Sequence, residues 1–292
     1  MMRMGDVLAG IQATWEFESD SVLIRFERGH RTPKLFQALR ERRIPHEALA
    51  SVTLSPGKRG TTVLRAAPRA GADPLMEAAA GQLREESDPY RLVIPADRAA
   101  LALRWADELR AVLPRDADQP ADRYAVAAPY AVPDAPLQFK AYDGRASFDG
   151  RHVGFRWSRT GASSAKWKVG DQNFPVQELT GVEWRTPEAA DGHLRLLLRS
   201  EPSRPAQPEK DPAAVVFGPR GGPLHESLPF AAAVLESVQK SARTPAMALR
   251  GGGRRDPADI AERIRHLGEL HQAGLVTDDE FSSKKAELLA EL

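Results

Sequence analysis

Arg43-Ile-Pro-His-Glu-Ala-Leu-Ala-Ser-Val-Thr-Leu-Ser-Pro56 has a second version in Asn173-Phe-Pro-Val-Gln-Glu-Leu-Thr-Gly-Val-Glu-Trp-Arg-Thr-Pro187, and this match decides the fold. In both, a hydrophobe and a proline lead to a leucine, Leu49 or Leu179, then to an alternating strand. Working outward, each version follows a hairpin. Thr14 to Phe26 and Ala146 to Trp157 each read as an aromatic-bearing strand, a tight polar turn and a second strand ending in Arg and an aromatic. Each is followed by another strand, Thr61–Arg65 or His193–Arg199. Asp88-Pro-Tyr-Arg-Leu-Val-Ile-Pro95 then matches Asp211-Pro-Ala-Ala-Val-Val-Phe-Gly218, and a helix closes each copy. So many elements in one order point to a duplicated domain.

The closing helices carry apolar stripes at helical spacing: Leu101, Trp105, Leu109 and Val112 in the first copy, Leu228, Ala231, Leu235 and Val238 in the second. Asp97 lies near the first start, and Ser227 is the expected N-cap of the second, ahead of Pro229. The sequence therefore divides into a first copy over 1–113, a linker over 114–136, a second copy over 137–240, a flexible linker over 241–255 and a helical hairpin over 256–292. The first linker is rich in Pro, Ala and Asp and is expected to be extended and mobile. One insertion, Pro74 to Leu83, distinguishes copy one and reads as a short helix.

In the hairpin, Asp256-Pro257 starts a helix and Gly274 ends it. Thr277-Asp-Asp-Glu280 is a capping box, with Val276 and Phe281 placed as a hydrophobic staple. Ile260, Ile264, Leu267 and Leu270, then Leu275, Phe281, Leu288 and Leu289, form its apolar stripe. Two helices of about 35 residues cannot bury enough apolar surface to stand alone. Those residues are therefore the expected assembly surface, toward a second copy or a protein partner.

The chain has 292 residues, 42% hydrophobic and 28% charged, with a formal net charge of +1, which argues against a protein built mainly to coat nucleic acid. Cysteine is absent, removing disulfides and thiolate chemistry together. There is no secretory signal pattern and no apolar stretch long enough for a bilayer, so a cytoplasmic protein is expected.

Pro257 to Leu292, through the run Ile264–Phe281 and Lys284-Lys285-Ala-Glu-Leu-Leu289, resembles the SHOCT domain, a short C-terminal oligomerisation or docking module. The two copies resemble an uncharacterised tandem-domain family of high-GC Gram-positive bacteria. The Ile44-Pro45, Leu49 and Val52 element, with strands before it and a helix at the end, is also similar to pleckstrin-homology-like domains. That resemblance implies an α+β fold: two pleckstrin-homology-like antiparallel β-barrels, each closed by a C-terminal helix, plus the hairpin. Fold likeness says little about ligand.

No motif of a nucleophile elbow, a phosphate-binding Gly-Lys-Ser/Thr loop or a metal-binding His pair is found, and the seven histidines are scattered. No catalytic residues, metal, cofactor or small-molecule substrate is therefore expected, and an enzyme with an unfamiliar site is the remote alternative. Basic loops are the best lead. Copy one carries Arg28, Arg31, Lys34, Arg40, Arg42 and Arg43, and copy two carries Arg156, Arg159, Lys166 and Lys168 with Trp157 and Trp167 interleaved. Such clusters attract phosphates or anionic surfaces, and Trp stacks on bases or inserts at membrane interfaces. Solvated or packing roles, a protein partner and a phosphate-bearing surface all remain open for them. The expected function is a non-enzymatic binding and assembly protein, with an anionic membrane surface or nucleic acid as the alternative.

Overall fold

A computed structural model describes residues 6–30, 32–121, 123–128, 136–200, 207–219 and 221–243, the backbone of 244–250, and Phe281. Copy one contains β1 (Asp6–Ala9), β2 (Ala13–Phe17), β3 (Ser21–Phe26), α1 (Lys34–Leu39), β4 (Glu41–Pro45), β5 (Leu49–Pro56), β6 (Thr62–Pro68), α2 (Pro74–Ala79), β7 (Arg91–Ile94) and α3 (Ala99–Ala111). Copy two repeats the plan with β8 (Leu137–Lys140), β9 (Gly144–Phe148), β10 (His152–Trp157), α4 (Ser164–Val169), β11 (Gln172–Pro175), β12 (Leu179–Arg185), β13 (His193–Leu198), β14 (Ala214–Val216) and α5 (Leu224–Arg250). Among the described residues α2 has no counterpart in copy two, and it falls on the insertion.

Each copy is a four-stranded antiparallel sheet, a three-stranded antiparallel sheet and a closing helix. Among the described residues no sheet closes into the barrel expected from the sequence. The chain leaves the first sheet at Pro45 or Pro175 through a 3-10 turn, where proline has no N–H to extend the ladder. At the opposite corner the sheets meet through one bond rather than a ladder. Ile11 N–H donates to Val93 O at 2.8 Å in copy one, and Tyr142 N–H to Val216 O at 3.0 Å in copy two.

Alternation puts Trp15, Phe17, Val22 and Ile24 inside copy one, and Ala146, Phe148, Val153 and Phe155 inside copy two. The closing helices cover these faces. Trp105 of α3 stacks on Phe17 with centroids 4.1 Å apart, and Phe230 of α5 meets Phe139 edge-on at 5.0 Å. All four stripe residues of α5 are buried, whereas Val112, expected on the inner stripe of α3, is 40% exposed.

Helix α5 differs from expectation at both ends. It begins at Leu224, so Ser227 is not its cap; Ser227 is fully buried and its Oγ accepts from Trp184 Nε1 at 3.2 Å. It continues to Arg250, so most of the segment expected as a flexible linker is helical. The described part of the linker between copies, as far as Ala128, also packs rather than floats. Arg69, nearly buried, donates to Gln119 O, Pro120 O and Asp116, while Tyr124 and Val126 bond back to Gly71 and Ala72. Phe281 is helical and half-buried; the rest of the expected hairpin stripe, Ile260, Ile264, Leu267, Leu270, Leu275, Leu288 and Leu289, lies outside the described residues.

The two copies belong to one compact unit, Met1–Gln239. The insertion makes the seam. Gln82, just beyond α2, donates from Nε2 to Trp184 O at 2.9 Å and accepts from Thr186 N–H at 3.0 Å. Its amide thus pairs with β12 as a neighbouring strand would. Arg84–Glu188 at 2.7 Å and Ala128 N–H to Glu236 Oε2 at 3.1 Å add to the join. Among the described residues no helix is long and apolar enough to cross a membrane.

Candidate functional site

The basic loops lie at equivalent places, around the short helix that bridges the third and fourth strands of each copy. In copy one, α1 is seated by Leu35, Phe36 and Leu39, all buried, with Phe36 stacked on Phe26 at 4.6 Å. Gln37 Nε2 ties the preceding loop down through Gly29 O and Thr32 O. Arg40 ends the helix at φ 61°, ψ −66°, a region that favours glycine, while its N–H bonds Phe36 O. Its counterpart Gly170 also has a positive φ, of 77°. Copy one therefore keeps an arginine where the backbone asks for glycine.

That arginine borders a cleft of about 420 Å3 lined by Arg25, Phe26, Arg28, Gln37, Arg40 and Glu41. Arg25 is held by Glu16 at 2.5 Å and Glu41 at 3.8 Å. Arg28 and Arg40 are exposed and have no acidic partner among the described residues. Three guanidinium groups around one cleft suit a phosphate or carboxylate.

Other cations from the same loops have different surroundings. Lys34 lines a cleft of about 460 Å3 between the copies, together with Glu188 and His225. Burial pushes the His225 pKa down; Glu226 opposes this and Lys34 adds to it. Arg43 pairs with Glu18 and donates to Ser21 Oγ at 3.1 Å. Arg31 lies outside the described residues.

Arg42 is not a surface cation. Its guanidinium is buried, 2.6 Å from Asp73, and Nε donates to Tyr90 OH at 3.2 Å. Tyr90 donates in turn to the second Asp73 oxygen at 2.6 Å. Burial opposes the charge on Arg42, but Asp73 and Tyr90 outweigh it and its pKa is raised. Burial, first of all, drives the Tyr90 pKa well up and keeps its hydroxyl a donor.

Copy two departs in the same way at a different residue. Lys166, in the place of Phe36, is fully buried, 2.5 Å from Asp143 and 2.8 Å from Ala214 O, with its ammonium 4.9 Å from the Trp157 ring centre. Burial pushes Lys166 down and Asp143 up, against their mutual attraction. Trp157 is itself buried and its Nε1 donates to Gly170 O at 2.7 Å, while Arg156 faces Asp171 at 3.4 Å. Arg159, Trp167 and Lys168 remain outside, with Trp167 53% exposed beside an equally open Val169. Arg25, which completes the copy-one cleft, is the counterpart of Arg156 and carries no local sequence signal of its own.

A family model described as a domain of unknown function (DUF4429) matches residues 15–110 and again 146–235, one match per copy. No curated protein matches the chain.

Proposed function

Because the chain belongs to the DUF4429 family, whose domain occurs here twice, we propose that it is a non-enzymatic binding and assembly protein of the cytoplasm. Its copies act as pleckstrin-homology-like modules and its C-terminal segment as a SHOCT-like assembly hairpin. The observation that carries this is the contrast between scaffold and edge. Sheets and closing helices repeat, the copies share one compact unit, and the matching short-helix edges differ: arginines and a cleft in one, an exposed Trp and Val in the other. Duplication that preserves the frame while changing the rim suits two different binding surfaces. The order of four strands, three strands and helix supports the pleckstrin-homology-like assignment.

Assembly is tested on the full chain by light scattering after size exclusion. Ile264→Asp with Leu288→Asp is expected to reduce the oligomer to a smaller species without changing the melting of the remainder. An unchanged molar mass would remove the hairpin from assembly.

A second reading, attachment to an anionic membrane surface through copy one, is favoured by Arg40. A non-glycine residue at such a backbone position is strained by about 1 kcal/mol or more, and here the side chain stands beside Arg25 and Arg28. Arg40→Gly relieves that strain at a smaller cost in chain flexibility and is expected to raise stability by roughly 1 kcal/mol while weakening binding to phosphatidylserine vesicles at low salt. Equal vesicle binding by the variant, or none by the wild type, would sink this reading.

A further inference from the structure

We infer that copy one carries, on the outer face of its second sheet, a site for a small amphipathic anion: a phosphate or carboxylate head on an apolar body. A cleft of about 600 Å3 lies there, within the roughly 300–1,000 Å3 usual for small-molecule sites. Strands β5, β6 and β7 supply its floor with Thr53, Ser55, Val63, Arg65 and Arg91. The insertion supplies a wall with Met76, Ala79 and Leu83.

Comparison with copy two shows what is unusual. There the same face is neutralised by its own side chains. Arg195 sits between Glu183 at 3.3 Å and Asp211 at 3.1 Å, Arg185 faces Asp191 at 2.6 Å, and His193 lies 3.5 Å from Glu183. Strand register makes the correspondence definite. Glu183 stands opposite Arg195 as Thr53 stands opposite Arg65, and Ala214 stands opposite Arg195 as Arg91 stands opposite Arg65. Copy one has therefore exchanged the acid for a hydroxyl and the alanine for a second arginine, and has added a wall with no counterpart among the described residues of copy two.

The result is two arginines directly opposite on adjacent strands, an arrangement that like-charge repulsion disfavours. Asp88 answers one of them through Arg65 Nε at 2.9 Å, and its other oxygen is taken by Tyr90 N–H at 3.0 Å. The terminal nitrogens of Arg65 are left to the cleft, and Arg91 has no acidic partner among the described residues. Lys58 and Glu85, also among the lining residues, carry opposite charges and leave the net balance of the cleft unchanged. An anionic head between Arg65 and Arg91 relieves the repulsion with charge-assisted hydrogen bonds, and Thr53 and Ser55 offer further donors. The aliphatic wall takes the apolar body.

The test uses the full chain and titrates 1-naphthyl phosphate, 1-naphthoate and neutral 1-naphthol by calorimetry. One equivalent of an anionic probe is expected to bind, at least about tenfold tighter than naphthol, and the tighter of the two anions identifies the head group. Thr53→Glu, which installs the acid of copy two, and Arg91→Gln are each expected to weaken binding about tenfold with melting unchanged or slightly raised, since each relieves the repulsion. Both positions are partly open to solvent, so neither variant threatens the fold. Arg40→Gly leaves this binding intact, which separates the site from the short-helix edge. Absence of saturable binding by both anions, equal binding of naphthol, or indifference to both floor variants overturns the inference.

Discussion

The residues that matter most individually are charges inside the protein. Arg42 with Asp73 and Tyr90 ties β4 to the start of α2 and the entry to β7, with every group held in the interior. Removing one member strands the others: Asp73→Ala leaves a buried guanidinium uncompensated and is expected to cost about 3–5 kcal/mol, read by chemical denaturation. His46 is a quieter case. Burial, opposed by Asp20 and a hydrogen bond to the Ser21 backbone, lowers its pKa from the usual 6.5. Near that pH the unfolded chain takes a proton that the folded chain refuses. Stability is therefore complete above about pH 6.5 and falls as the pH drops through the window toward the folded value. Val176 fills the same place in copy two, so melting curves of His46→Val are expected to show a weaker loss between neutral and mildly acid pH. None of these roles was legible locally. Arg42 and Lys166 each sit in a run of cations, while their acids lie 31 and 23 residues away, brought in only by the tertiary fold.

Elements were far more legible than residues. Alternating strands, paired Ile-Pro and Phe-Pro steps, and apolar stripes depend on short-range periodicity, and they mark the hairpin, the two strands after it and the closing helix of each copy, but not β1, β4, β8, β11 or the short helices α1 and α4. What escaped was whatever depends on a distant surface. Ser227 has the chemistry of a cap, yet Trp184 claims it, and α5 starts a turn earlier. The linker looks extended by composition, but Arg69 has enough donors to anchor it. The insertion was recognisable as a helix, whereas its task was not: α2 brings Gln82 to the backbone of β12, 102 residues further on. Gln82→Ala removes two bonds from that seam and is expected to lower stability by about 1–3 kcal/mol, measured as a fall in melting temperature. The copy-one cleft was half visible, through Arg28 and Arg40; Arg25 joins them only because the strand end and the helix end converge.

At the scale of the whole molecule, duplication has produced one body over 1–239 rather than two beads on a string. Buried apolar side chains run from one copy to the other in a single cluster. Trp105→Ala in copy one and Phe230→Ala in copy two are accordingly expected to lower the same cooperative unfolding transition, each by about 3–5 kcal/mol. Calorimetry resolving two transitions, each moved by only one substitution, would show the copies to be independent. Gln82 has one more consequence. An outer strand with open N–H and C=O groups is a template on which other chains can add strands. By occupying Trp184 O and Thr186 N–H, one side chain closes that template at its end. The segment that distinguishes copy one from copy two thus also guards its sibling against runaway edge-to-edge polymerisation, so a chain shortened through 74–83 should be prone to form fibres.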